Sequence, residues 1–135
     1  ASLGANHPNV ATALNNLAQL LKDTNRLGEA ETLMKRALEI DKASFGPNHP
    51  EVATDLNNLA TLLQATNRLG EAEPLMKRVV EIFLNFTRST GHEHPHLRAA
   101  IGNYARLLEA MGRSEEEVVR RLRDLMARAG VRLGR

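Results

Sequence analysis

The 135-residue sequence contains no cysteine, and its aromatic content is only 3%. Without cysteine it can form neither a disulfide nor a thiolate metal site, and a reducing compartment is compatible with it. No apolar run approaches the ~18 residues of a membrane span. The net charge of +2 is too small to argue for nucleic acid. We therefore expect a cytoplasmic protein that has neither a membrane nor a nucleic acid as its partner.

Internal repetition is what the sequence does contain. Residues 7–40 and 49–82 align at a spacing of 42 residues and differ at eight positions out of 34. A looser copy begins at His94, 45 residues after His49. Repetition at a fixed period of about 20–50 residues indicates a stack of supersecondary units. Such arrays usually hold a partner rather than transform a substrate, so we expect no enzyme.

Each repeat is predicted to be a pair of helices joined by a tight turn. Apolar residues recur every three or four positions, which is the spacing of one helix face. Pro8 and Pro50 suit the first turn of a helix that we call helix A. Asn25 and Asn67 suit a left-handed residue before the second helix, helix B. Small side chains recur where helices must approach closely: Ala18, Ala30 and Ala37, then Ala60, Ala72 and Val79.

The third copy departs from this pattern in its second half. Pro95 is expected to begin its helix A, but Glu117 replaces the small residue that the other copies have in helix B. Ser114 and Glu117 instead predict a capping box, in which Glu117 reaches back to Ser114. One face of this last helix is apolar and the other carries arginines. A docked face and a solvated face are typical of a terminal cap.

The chain divides into one solenoid with five segments. Residues 7–48 are the first repeat, 49–93 the second, 94–130 the divergent third repeat with its cap, and 131–135 a tail. Residues 2–8 resemble residues 44–50, which indicates that residues 1–6 are the remnant of a preceding repeat. A short lead-in that belongs to a small protein is the alternative.

The pattern LNNLA…NRLGEAE…LMKRALEI, followed by Gly-Pro-Asn-His-Pro, resembles the tetratricopeptide repeat. It is most similar to the 42-residue variety of kinesin light chains and of bacterial kinesin-light-chain-like proteins. The resemblance implies an all-α, right-handed superhelical solenoid of antiparallel helix pairs. It also implies a concave groove, lined by helix A of each repeat, that takes a peptide or a partner segment. The matching packing positions of the first repeat are Leu14, Leu17, Ala18, Leu21, Ala30, Met34 and Ala37.

Polar residues off the apolar face of helix A are the candidate groove contacts. Asparagine costs several tenths of a kcal/mol relative to alanine inside a helix, so asparagine pairs repeated in register invite an explanation. An amide both donates and accepts, which suits a peptide backbone; alternatively, one asparagine of each pair ties helix A to its neighbour's backbone. The candidates are Thr12, Asn15, Asn16, Gln19, Lys22, Thr54, Asn57, Asn58, Thr61, Gln64, Asn103 and Arg106.

A catalytic or metal site is not expected. His92 to His96 formally match the HExxH pattern of zinc proteases, but that pattern needs both histidines on one continuous helix. Pro95 is expected to begin a helix and so leaves His92 in the preceding loop. The sequence shows no recognisable Ser/His/Asp set and no phosphate-binding glycine loop, and we predict no cofactor.

The apolar run from Ile82 to Phe86 has two interpretations. The first repeat is partly polar at the equivalent place. The added surface of Phe83, Leu84 and Phe86 could pack against the divergent last helix, which we favour, or form a homo-oligomer contact. The leading function is a protein–protein interaction scaffold. The alternative is a structural spacer or self-association element of a larger signalling or effector protein.

Overall fold

The fold is a stack of helix pairs. The computed structural model describes residues 7–132, which form six α-helices and no strand. Helices consecutive in sequence pack against each other, and the predicted all-α solenoid is confirmed. No helix within this range is long and apolar enough to cross a membrane. The remnant at residues 1–6 and tail residues 133–135 fall outside the described part. The helices are α1 (Pro8–Asp23), α2 (Leu27–Phe45), α3 (Pro50–Ala65), α4 (Leu69–Thr90), α5 (Leu97–Ala110) and α6 (Glu115–Ala129).

A histidine caps the start of α1 and of α3, and the equivalent His94 of the third copy caps the turn that precedes α5. In His7, His49 and His94, ring nitrogen Nδ1 accepts the backbone N–H two residues later at 3.0 Å. An Nδ1 that accepts a hydrogen bond carries no proton, so the neutral ring has its proton on Nε2. A charged ring has protons on both nitrogens and cannot form this bond. The His-Pro link of the repeat is therefore a capping device.

The start of α5 differs from the prediction. It begins at Leu97 and not at Pro95. His96 has φ −98° and ψ 1°, outside the regular helical range, which separates the turn at Pro95 from the helix. His92 lies before this turn and shares no helix with His96.

The turns inside the repeats have the predicted left-handed residue. Asn25 and Asn67 have φ of 61° and 58°, and Gly112 takes the equivalent place in the third copy with φ 87°. The longer spacing of the second repeat is accommodated in its helix B, since α4 has 22 residues and α2 has 19. Gly91, with φ 74°, ends α4.

The small residues are buried where helices A and B meet, as predicted. Five alanines are fully buried and Val79 is 1% exposed. A side chain no larger than these permits the close approach of the helix axes. The five alanines are Ala18, Ala30, Ala37, Ala60 and Ala72.

The last helix packs differently from α2 and α4. It contacts both α4 and α5, and its buried residues are Val118, Leu125 and Ala129. Ser114 Oγ accepts the N–H of Glu117 at 3.2 Å, which is half of the predicted capping box. The Glu117 carboxylate does not reach back among the described hydrogen bonds.

That carboxylate accepts from Arg121 at 3.1 Å and lies near Arg113 and Arg120. The prediction for Glu117 was therefore wrong in its second half, because neighbouring guanidinium groups offer it a stronger, charge-assisted bond. Arg120, Arg123 and Arg128 are exposed, as a solvated face requires.

Acid is expected to weaken the His94 cap. The ring stacks on Phe83 with centroids 4.2 Å apart and meets the edge of Phe86 at 4.8 Å. Burial, and then the charge of His96, lower the pKa of His94. A lowered folded-state pKa gives stability that is present above the ordinary value of about 6.5 and is lost as pH falls through the folded value.

We therefore predict that His94→Asn flattens the fall of the melting temperature between pH 7 and pH 5. Asparagine keeps a capping oxygen but does not titrate. Loss of the ring contacts is expected to lower stability at pH 7 by about 1 kcal/mol, the usual order of a cap or an aromatic pair. Thermal melts of both proteins across this range measure the effect. A variant profile as steep as the parent's would contradict it.

Candidate functional site

The first asparagine of each pair lies at a junction between one repeat and the next. Asn15 of α1 contacts α3 of the following repeat. Asn57, at the equivalent place in α3, lines a depression shared with α5. Asn103, the third-copy equivalent of Asn58, lines the same depression from the other side. The structure therefore brings three of the predicted groove residues, Thr54, Asn57 and Asn103, to one depression.

We call this depression the α3–α5 notch. Its volume is about 240 Å³, below the roughly 300–1,000 Å³ of small-molecule sites. It lies between two A helices and has α4 as its floor. It is lined by Ala53, Thr54, Asn57, Val79, Phe83, His96, Ala99, Ala100 and Asn103.

The notch has an apolar floor and a polar rim. Ala53, Val79, Phe83 and Ala100 are at most 5% exposed. The Asn57 side chain is half-buried and has no hydrogen-bond partner of its own within residues 7–132. Among the described residues that line the notch there is no lysine, arginine or carboxylate. This combination suits one apolar side chain with a neutral polar backbone beside it.

Asn103 is held by its own helix. Its Oδ1 accepts from Arg106, one turn later on α5. The Arg106 guanidinium thereby fixes the amide and leaves its N–H₂ as a donor at the rim.

The equivalent junction between α1 and α3 is closed by polar groups. Asn15 Nδ2 donates to Asp55 Oδ1 at 2.8 Å. Asp55 is 1% exposed and Asp41, from the end of α2, is 3% exposed. At the second junction Phe83 takes the place of Asp41, and Ala100 that of Asp55. The notch exists where this polar set is missing.

Asp55 holds a proton more tightly than an ordinary carboxyl. Burial, followed by a hydrogen bond with Asp41, raises the pKa of Asp55 to about 8, although the bond from Asn15 opposes the shift. The nearby charge of Glu51 acts in the same direction as Asp41. Asp55 Oδ2 has no N–H or hydroxyl donor in the described residues. A hydrogen bond between two carboxyls needs a proton on one of them, and this proton satisfies the pair.

The alternative role of the asparagines, which is to tie helix A to a neighbouring helix, is thus seen once, with a different acceptor. Asn15 braces α1 against α3, but its acceptor is the Asp55 side chain and not a backbone group. Asn57 has an alanine at the position where Asn15 meets Asp55, so it keeps its amide for other contacts.

The remaining candidate residues lie outside the notch. Thr12, Asn16 and Gln19 are exposed on α1. Thr61 is exposed on α3, and its hydroxyl donates to the Asn57 carbonyl at 2.8 Å. Half-buried positions near the ends or sides of the A helices are Lys22, Asn58 and Gln64.

Sequence reasoning missed the floor of the notch, because Val79 and Phe83 come from α4 and not from helix A. The apolar run at Phe83 was a signal for it. Phe83 is 5% exposed and Leu84 is fully buried, so packing within the chain accounts for both. Phe86 is half-buried against His94. A homo-oligomer contact through Phe83 and Leu84 would need surface that the chain itself covers.

No metal centre is assembled around the histidines. In the part of the chain that the structure describes, no three histidine, aspartate or glutamate side chains are placed to hold a metal ion.

Comparison with known proteins decides the family. A family model described as tetratricopeptide repeat matches residues 1–43 and 25–85. The chain belongs to the tetratricopeptide repeat family. These repeats generally mediate protein–protein interaction and form a non-catalytic scaffold. No curated protein matches the sequence.

Solved structures support the kinesin-light-chain-like variety of this family. A Podosopora anserina protein described as a kinesin light chain with nearly identical TPR-like repeats is 27% identical, with a TM-score of 0.76. The match covers 98% of this tetratricopeptide chain and 61% of that one. A point variant of that Podosopora anserina protein is 26% identical, with a TM-score of 0.71 and coverage of 95% and 60%. The present chain therefore spans about three fifths of the length of these neighbours.

Proposed function

We propose that this chain is a scaffold that binds an extended segment of a partner protein along its A helices. One apolar side chain of the segment enters the α3–α5 notch, and the amides of Asn57 and Asn103 bond the adjacent backbone. The observation that carries this proposal is the notch itself, because its polar rim and buried apolar floor meet on the helix A face. A cytoplasmic location remains part of the proposal.

The chemistry of the notch predicts the character of binding. The residues that line it include no lysine, arginine or carboxylate, so electrostatic attraction contributes little. A neutral hydrogen bond contributes about 0.5–1.5 kcal/mol net. We expect modest affinity that changes little with salt concentration.

Binding is expected to fail when the notch is filled. Peptides enriched from a random 12-residue phage library on the purified chain provide the probe, and fluorescence anisotropy gives their Kd. Ala99→Leu adds bulk at the exposed rim and should weaken binding about tenfold or more, which is about 1.4 kcal/mol. Asn57→Ala or Asn103→Ala removes one amide and should weaken it about fivefold.

Asn16→Ala is the matched control. Asn16 is the first-repeat equivalent of Asn103, but it is exposed on α1 and lines no notch within the described residues. Its replacement should change the Kd less than twofold. Peptides that bind the parent and Ala99→Leu equally well would place the binding surface elsewhere.

A spacer or self-association role is the second candidate. The observation that favours it is the exposed apolar surface of α1, where Leu17 and Leu20 are 47% and 63% exposed. This surface lies on a different part of the molecule from the notch, so the two roles are compatible.

A further inference from the structure

The first repeat exposes an apolar surface, whereas the equivalent surfaces of the second and third repeats are buried. Leu17 and Leu20 lie there with half-buried Leu21 and Leu33. Arg26 and Glu29 border the same depression, which has a volume of about 450 Å³. We call this surface the N-terminal end face; its residues are Leu17, Leu20, Leu21, Arg26, Glu29 and Leu33.

The equivalent residues of the later repeats show what covers such a face. Leu59 and Leu62 in the second repeat are 4% and 1% exposed, and Tyr104 and Leu107 in the third are 1% exposed. Helix B of the preceding repeat packs there: α2 packs on α3, and α4 packs on α5. The same residue positions are thus buried twice by the same kind of helix.

A glutamate on helix B reaches forward at both covered faces. Glu31 of α2 pairs with Arg68, and Glu73 at the equivalent place in α4 accepts from the Tyr104 hydroxyl at 3.1 Å. Arg26 is the first-repeat equivalent of Arg68. It bonds Glu29 through Nε and Nη2, as Arg68 bonds Glu71. Arg68 uses Nη1 for Glu31, and the Nη1 of Arg26 has no acceptor within residues 7–132.

We propose that the N-terminal end face docks one more helix pair of the same 42-residue kind, stacked ahead of α1. Its helix B carries a glutamate opposite Arg26. The interface continues the one that α2 forms with α3, with the same apolar positions and the same guanidinium group.

The residue opposite Ala13 defines this partner further. At the two junctions that the structure contains, the end of helix B faces helix A of the next repeat with Asp41 against Asp55, or with Phe83 in a notch with Ala100. Ala13 is the first-repeat equivalent of Asp55 and Ala100, and it is exposed. An alanine here leaves room for a large apolar side chain, as Ala100 does for Phe83, but it has no polar group to hydrogen-bond an aspartate. The docked helix B therefore carries a large apolar residue at the place of Asp41.

An extended chain tests this assignment. Residues 7–48 are duplicated ahead of His7, and the added copy carries Asp41→Phe. In the original chain, Leu20→Ser should shift the melting temperature by less than about 2 °C, because this leucine is exposed. In the extended chain the same substitution should lower it by about 6 °C or more, because the leucine is then buried. Hydrogen exchange in α1 should slow at least tenfold on extension.

A second extended chain keeps Asp41 in the added copy. It should melt several degrees lower than the first, because its aspartate faces Ala13 without a partner. Equal melting temperatures would overturn the size matching. Equal effects of Leu20→Ser in the original and extended chains would overturn the docking of a repeat. Sedimentation equilibrium of the original chain is the last measurement. A dimer that Leu20→Ser dissociates would show that a second copy of the chain binds this face, and would overturn the proposal.

Discussion

Replacing Phe83 by alanine is expected to lower the free energy of unfolding by about 3 kcal/mol. The ring is 5% exposed, stacks on His94 and belongs to the floor of the α3–α5 notch. Its removal loses buried apolar contacts and joins a new cavity to the notch, and large-to-small core changes of this kind cost about 3–5 kcal/mol. The open notch beside the ring places the value at the low end. Urea unfolding followed by circular dichroism measures it.

Phe45→Ala is the matched control for this experiment. Phe45 stacks on His49 with centroids 4.5 Å apart, much as Phe83 stacks on His94, but it is 40% exposed. Its loss should cost less than about 1 kcal/mol, the scale of an aromatic pair without core burial. If Phe83→Ala kept its stability and instead dissociated a dimer, the interface interpretation of the Phe83 run would hold.

The second large effect is expected at Asp55, where asparagine should stabilise the protein at alkaline pH by a few kcal/mol, because burial disfavours the carboxylate form. Each pKa unit between the folded and unfolded values corresponds to about 1.4 kcal/mol. The folded pKa of about 8 lies well above the ordinary value of 3.8. Asparagine copies the protonated acid: its oxygen can accept from Asn15 and its amide can donate to Asp41. It has no charge to bury as pH rises.

The sign of this effect follows from proton binding. Because the folded-state pKa is raised, the folded protein binds the proton more tightly than the unfolded chain does. The stability contributed by protonated Asp55 is therefore complete below about pH 4 and is lost as pH rises to about 8. Asp55→Asn should remove this decline, and the gap between variant and parent should widen from pH 5 to pH 9 in chemical denaturation.

The partner residue provides a check on the pair. Asp41→Asn should flatten the same decline, and the double variant should add little, because the two carboxyls share one proton. An undiminished decline in Asp55→Asn would show that the loss of stability at high pH comes from other groups.

The repeated features of the fold could be predicted from the sequence because they depend on local spacing. Helical periodicity, the left-handed Asn25 and Asn67 and the buried alanines each follow from residues within one helix pair. The start of α5 was misplaced because the conformation of His96 depends on the turn around His94 as well as on Pro95.

The chemistry of the junctions could not be predicted in the same way. The bond from Asn15 to Asp55 joins residues 40 positions apart, and periodicity does not show which side chains meet across a stack. Asp55 was visible as one of the differences between the two close copies, yet its burial depends on α1, α2 and α3 together. The notch has the same origin, since its floor and rim come from three helices and a turn.

The polar pair at the first junction and the Phe83 notch at the second have a consequence for misfolding. Two helix pairs that share most of their residues can exchange places during folding, and such exchange is a known failure of repeat proteins. Exchange here would set Phe83 against Asp55, or Asp41 against Ala100, and would bury a carboxyl without a partner. The few residues that break the repetition thus favour one order of the helix pairs in the stack.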